Sequence, residues 1–297
     1  MPAARRKSKH SGPSPARRWQ IISSAIVLPA VLVYMWLSNA WSLFQFRSEN
    51  PHLLCDSSQA ERTSLISLDP LIIYVRDFLS PSEISALLTV AESHFGPSPV
   101  YDASARGDTR HQGRTSSTAF LPPSDFPVAS CILSRARQFM GTALGPSNTS
   151  LSDFSVPQLV RYGPGQKFDV HHDAFPQPRM DQSAGRQYNR MASFFVYLED
   201  DCVDCETWFP HVEPAGIRWG PWDTAKSNET ESVMPKSDEY YRNERQGGIM
   251  FPPISGNALF WSNLKASGQQ DGRVLHAGLP VGEGRKTAMN IWAKRWF

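Results

Sequence analysis

Hydrophobic and polar positions divide the chain into three regimes. From Trp19 to Phe46 no residue is charged, and Ile21 to Leu37 is mostly apolar. About 20 such residues span a bilayer core at 1.5 Å per residue, so this run predicts a single membrane-spanning helix or a signal sequence. After a polar, unpatterned stretch the texture becomes that of a folded domain. Leu71 to Val75 is apolar and β-branched, as in a buried strand. Ser80, Pro81 and Glu83 have the order of N-cap, first helical position and capping-box acid, and Ile84, Leu87, Leu88 and Ala91 follow at helical spacing. A second helix is predicted over about 125–141, with Val128, Ile132, Ala136 and Phe139 as its stripe. From Asp153 onward the apolar runs are short and broken by Gly, Pro and Asp: 157–161, 192–198, 208–209, 258–261 and 287–296. That rhythm predicts a sheet-rich sandwich or barrel, so the fold class is mainly β with flanking helices. Residues 211–246 are polar and too long for a turn, and read as an insertion between strands.

Charge gives the hydrophobic run a direction. The formal net charge is +2, but Arg5, Arg6, Lys7, Lys9, Arg17 and Arg18 precede the run with no acid among them. Taking those six from the 30 basic residues leaves 24 against 28 acidic ones, so the body is slightly acidic and offers no nucleic-acid surface. A basic cluster on the N-terminal side predicts a cytoplasmic tail (1–18), a transmembrane signal anchor (19–42), a lumenal stem (43–66) and a lumenal domain (67–297). Ser38-Asn39-Ala40 keeps a cleaved signal peptide open as the alternative. Asn148-Thr149-Ser150 and Asn228-Glu229-Thr230 are glycosylation acceptors in a lumen. Cys55, Cys131, Cys202 and Cys205 would meet an oxidising environment, with three pairings open.

Candidate chemistry sits in 161–173 and near the C-terminus. In a strand, His171 and Asp173 share a face and His172 points away. His276 lies in an apolar strand-like stretch, and Lys286 follows within another. Two histidines and a carboxylate form the facial triad of non-haem Fe(II) oxygenases, which leaves coordination positions open for 2-oxoglutarate and O₂. A buried lysine would then pair the far carboxylate of that keto acid.

With these residues in this order, the chain resembles the 2-oxoglutarate-dependent prolyl 4-hydroxylases of the collagen prolyl hydroxylase alpha-subunit type. The resemblance runs from about Leu68 to Trp296, through Arg114-Thr115-Ser116-Ser117, Gln158 to Tyr162, the Tyr-x-Pro-Gly-Gln-Lys-x-x-x-His-x-Asp run, Glu206-Thr207-x-Phe209-Pro210, Gly256 to Trp261 and His276-Ala277-Gly278. It implies a double-stranded β-helix (jelly roll), with His171, Asp173 and His276 as iron ligands and Lys286 on the 2-oxoglutarate C5 carboxylate. It further implies Tyr162 and Thr207 beside the cosubstrate and Arg190 and Trp292 along a peptide groove. The implied cofactors are Fe(II), 2-oxoglutarate, O₂ and ascorbate. The implied reaction is 4-hydroxylation of peptidyl proline with release of succinate and CO₂, in the endoplasmic reticulum membrane with a lumenal catalytic domain. Phe168 stands where the family usually has tyrosine, Ser155 where it is often acidic, and Asp204-Cys205 where it usually has two glycines. Those departures keep a lysyl, small-molecule or lipid substrate as alternatives. A type II membrane-anchored glycosyltransferase shares the layout but lacks a strict Asp-x-Asp here. Oligomeric state is left open.

Overall fold

The computed structural model describes residues 62–99, 113–144, 150–213 and 239–297. The tail, anchor and most of the stem, both sequon asparagines, Cys55 and most of the insertion lie outside them. Among the described residues no helix is long and apolar enough to cross a membrane.

The chain forms β1 (Arg62–Leu68), β2 (Leu71–Arg76), α1 (Pro81–Ala91), β3 (Gly96–Pro97), β4 (Ser117–Phe120) and α2 (Pro127–Leu144). It continues through β5 (Gln158–Tyr162), β6 (Phe168–His171), β7 (Arg179–Asp181), β8 (Arg186–Val203) and β9 (Thr207–Phe209). The last strands are β10 (Tyr241–Arg242), β11 (Ile249–Phe251), β12 (Ala258–Ser262), β13 (His276–Gly278) and β14 (Glu283–Trp296). The larger sheet runs β1-β2-β12-β8-β14-β5-β4-β3, with β7 also on β8, and the smaller runs β10-β11-β9-β13-β6. The result is a mainly β, jelly-roll-like arrangement of two sheets with helices on the outside of the larger one.

Strand alternation decides which core each residue joins. On β8, Phe194, Val196 and Leu198 face the helices, whereas Phe195 and Tyr197 face the smaller sheet. On β14, Met289, Ile291 and Ala293 face the helices and Ala288 the smaller sheet. Leu87 and Ala91 of α1 and Ile132, Ala136 and Phe139 of α2 cover the outer face, and Phe139 packs edge-on against Phe194 and Phe260. The capping box at Ser80 forms as the sequence requires: the Glu83 backbone N–H donates to the Ser80 side chain, and the Glu83 carboxylate accepts from the Ser80 backbone N–H. Glu83 also takes two bonds from Arg135 of α2, at 2.6 and 2.8 Å, so one buried ion pair ties the two helices together.

Three boundaries differ from the sequence reading. The larger sheet begins at Arg62, inside the stretch read as stem, because β1 pairs antiparallel with β2. Its polar composition hid it, as an edge strand buries little: Leu65 and Leu68 are exposed and Ile66 is the inward residue. The second helix starts at Pro127, a favoured first-turn position, and runs on to Leu144. The presumed insertion contains β10, which pairs with β11 before the sheet resumes.

Candidate metal and cosubstrate site

β6 and β13 are antiparallel neighbours with His171 and His276 opposite each other, so their ring centroids lie 4.3 Å apart. Asp173 follows β6 and completes a cluster whose ligand-capable atoms all fall within 4.8 Å of one another. Its Oδ1 is 3.9 Å from His171 Nε2 and its Oδ2 is 3.9 Å from His276 Nε2. Nδ1 of His171 is 2.7 Å from the Asp169 carbonyl, and Nδ1 of His276 is 3.0 Å from the Val274 carbonyl. A carbonyl only accepts, so both Nδ1 atoms carry the proton and both Nε2 lone pairs are free for a metal. Burial, reinforced by His276, pushes the His171 pKa down to about 3, so this imidazole is neutral. For Asp173 burial acts upward, but the Arg190 guanidinium and the Ser193 hydroxyl, together with any charge on the two imidazoles, hold the carboxyl below its usual range. Two imidazoles and one carboxylate are the donor set that Fe(II) takes in facial-triad oxygenases.

Aromatic rings wall the cluster. Phe209 stacks on His276 at 5.2 Å, Trp261 meets it edge-on at 4.9 Å, and Phe168 stacks on His171 at 3.6 Å. Phe168, in the position where tyrosine was expected, thus serves as packing, with the Arg114 guanidinium 4.7 Å from its ring centre.

A cavity of about 580 Å³ opens beside the triad, bordered by Tyr162, Phe168, Thr207 and Gly278 and, farther along, by Arg190 and Trp292. Lys286 is fully buried just behind that wall, and a Cβ on Gly278 would stand 3.9 Å from its Nζ. Its ammonium donates to the Cys205 carbonyl at 2.5 Å and lies 5.2 Å from the Tyr162 ring centre. Burial depresses its pKa to about 8, partly opposed by Glu206. Cys205 is itself closed into a disulfide with Cys202, one of the pairings the sequence left open. Thr207 accepts from the Tyr197 hydroxyl at 2.9 Å. Arg190 places its guanidinium carbon 3.5 Å from the Trp292 ring centre and reaches the Asp173 carbonyl at 3.3 Å.

All the residues singled out as ligand, cosubstrate or substrate contacts therefore converge on one cavity or its wall. His172 is the exception to the alternation argument. β6 stops at His171, so His172 follows no strand rule, and it borders the cavity instead of pointing away, though outside the metal-ligating cluster. Sequence reasoning gave no role to Gln158 and Asn290, which line the same cavity and hydrogen-bond to each other at 3.3 Å. Their two-residue spacing from Val160 and Trp292 was the available signal.

Residues 157–294 match the family model of the 2OG-Fe(II) oxygenase superfamily. The chain is 28% identical over 237 residues to Prolyl 4-hydroxylase 1 of Arabidopsis thaliana, covering 79% of this chain and 72% of that protein. It carries a 2-oxoglutarate/Fe(II) prolyl 4-hydroxylase-like domain. The prolyl 4-hydroxylase subunit alpha-3 of Mus musculus is 27% identical over 245 residues, which are 82% of this chain but 37% of that subunit. Among solved structures, the viral collagen prolyl hydroxylase of Paramecium bursaria Chlorella virus-1 is 22% identical with a TM-score of 0.49, over 75% of this chain and 95% of that one. The prolyl 4-hydroxylase-like domain is an oxidoreductase of the dioxygenase class, and its cofactors are Fe(II), 2-oxoglutarate and O₂, with ascorbate typical of the family.

Proposed function

We propose that this dioxygenase 4-hydroxylates proline within extended peptides and releases succinate and CO₂. The observation that carries the reading is the placement of a fully buried lysine behind a cavity that opens on a complete His-Asp-His cluster. Nε2 of His171 and His276 and a carboxylate oxygen of Asp173 would hold Fe(II). Bound together, iron and the keto acid supply the O₂-dependent oxidation that the side chains cannot perform. The chain's own work is positioning. Lys286 binds the far carboxylate, Tyr162 and Thr207 border the keto acid, and Phe168, Phe209 and Trp261 keep water from the ligands.

The peptide would lie along Arg190 and Trp292. Arg190 Nε and Trp292 Nε1 are buried and lack a hydrogen-bond partner among the described residues. Proline has no N–H, so the free hydrogen-bonding groups of a polyproline II segment are mostly carbonyls, and two unpaired donors suit them. Because Arg190 also reaches the Asp173 carbonyl, peptide binding and ligand placement share one side chain.

A panel of proline-rich, lysine-containing and proline-free peptides, assayed for succinate and by mass spectrometry, tests the substrate. Gain of one oxygen on proline with matching succinate supports the reading. Oxygen found only on lysine, or succinate only with small molecules or lipids, replaces it. We further place the domain in the lumen of the endoplasmic reticulum on a single-pass type II anchor, on the basis of the uncharged run 19–46 and the basic tail before it. Resistance to alkaline carbonate extraction, with protease removing only the tail from sealed microsomes, is the expected result. Release into the supernatant would mean a cleaved signal.

A further inference from the structure

We propose that Asn263, acting through Ser193, is a positioning residue that restricts the Asp173 carboxylate to one metal-binding oxygen. The inference rests on reading His171, Asp173 and His276 as the Fe(II) site.

The Ser193 hydroxyl is 2.6 Å from Asp173 Oδ2, and Asn263 Nδ2 is 2.7 Å from the Ser193 oxygen. An ionised carboxylate only accepts, so Ser193 commits its single proton to Asp173 and must accept from the Asn263 amide. Only one donor order satisfies both contacts: Asn263 to Ser193 to Asp173. All three are buried, with Ser193 0%, Asn263 1% and Asp173 5% exposed. The backbone that carries Asn263 is fixed on both sides. The Asn263 backbone N–H donates to the Met191 carbonyl at 2.8 Å, and its carbonyl accepts from the Asp271 N–H at 2.9 Å. Met191 lies two residues before Ser193 on β8, so the amide and the hydroxyl are registered to the same strand.

The chemistry explains why such a relay belongs here. A carboxylate can chelate a metal with both oxygens, and doing so would consume a coordination position that a facial triad must leave open for a bidentate keto acid and O₂. A charge-assisted bond on Oδ2 leaves Oδ1 as the metal ligand. Ser193 supplies that bond, and Asn263 fixes its direction. A serine without the amide behind it would be free to rotate its proton elsewhere.

The full chain is tested as wild type and as Ser193→Ala, Ser193→Thr, Asn263→Leu, Asn263→Asp and the double variant Ser193→Ala with Asn263→Leu. Asn263→Asp keeps the shape but presents an acceptor that competes for the serine proton. Fe(II) affinity is measured anaerobically by chelator competition, the visible charge-transfer absorption on adding 2-oxoglutarate is recorded, and thermal melting identifies folded variants. Fe(II) affinity should fall about 10- to 100-fold in Ser193→Ala, Asn263→Leu and Asn263→Asp, the range for loss of an outer-shell partner, with an altered absorption band. Ser193→Thr should keep wild-type values, and Asn263→Leu should add no further loss once Ser193 is alanine. Wild-type iron affinity in folded Asn263→Asp or Asn263→Leu would overturn the proposal. So would an undiminished second loss in the double variant, which would make Asn263 a packing residue only. His171→Ala runs in parallel: unchanged iron binding there would sink the metal-site reading itself.

Discussion

Replacing Lys286 by alanine isolates cosubstrate recognition from metal binding. The ammonium is fully buried, its hydrogen-bond partner among the described residues is the Cys205 carbonyl, and its pKa falls from 10.5 to about 8. At about 1.4 kcal/mol per pH unit, that depression corresponds to about 3 kcal/mol of lost solvation, of the order a bound carboxylate would restore. Truncating one partner of a buried pair costs about 3–5 kcal/mol, so Lys286→Ala should weaken 2-oxoglutarate affinity by about two to nearly four orders of magnitude. Iron binding should hold, because Nζ is not among the ligand atoms. The sign of the pH dependence follows from the same group. Below about 8 the free enzyme already carries the ammonium, so affinity for the dianion is level. Above it, binding must take up a proton, and affinity should fall by up to about tenfold per pH unit. Lys286→Arg should bind weakly because the planar fork does not fit the ammonium site, but its profile should stay flat through that range. The assay is 2-oxoglutarate decarboxylation against cosubstrate concentration from pH 6.5 to 9.5, with iron content determined in parallel. Wild-type cosubstrate dependence in Lys286→Ala would refute the assignment of this lysine.

Three further outcomes are expected. His171→Ala, Asp173→Ala and His276→Ala should each lose bound iron and turnover, while His172→Ala keeps its iron; metal analysis after anaerobic loading decides. Gly278→Ala should fold normally, since the new methyl meets Lys286 Nζ and Phe168 at 3.9 Å, an ordinary contact distance. It should raise the KM for 2-oxoglutarate by narrowing the approach to the lysine, and an unchanged KM would show that the keto acid does not pass there. Arg135→Met should destabilise the domain by about 3 kcal/mol, measured by urea unfolding, because it breaks the buried Arg135–Glu83 ion pair that joins the two helices.

What the sequence disclosed depended on whether a residue's role was written in local pattern. The capping box at Ser80 was legible because each of its bonds spans three residues. The strand cores of β8 and β14 were legible because burial on both faces leaves an apolar run, but the polar ends of β8 were not, since they are ordered by pairing with β14. β1 escaped because an edge strand needs little hydrophobicity. Within the site, the ligands and Lys286 stood out through spacing and order. Ser193 and Asn263 are 70 residues apart, and nothing local says that their side chains meet. His172 failed for a different reason: the alternation rule assumed a strand that ends one residue earlier.

β14 carries Lys286, Ala288, Asn290 and Trp292 on one face, in unbroken register with β5 from Lys286 to Asn290. At about 3.3 Å per residue, the six steps from the lysine to the indole span about 20 Å of a single backbone. The strand is therefore a ruler, graduated in two-residue marks, on which the proposed cosubstrate anchor and the proposed peptide anchor are cut into the same edge. Loop remodelling elsewhere cannot change that interval. A single-residue insertion between the two marks would turn Trp292 to the helix side, and a two-residue insertion would keep its facing but shift it by about 7 Å. Selecting for a longer or shorter diacid must therefore recalibrate the peptide end as well, and variants that accept both a new diacid and the old peptide should carry compensating changes on β14 itself.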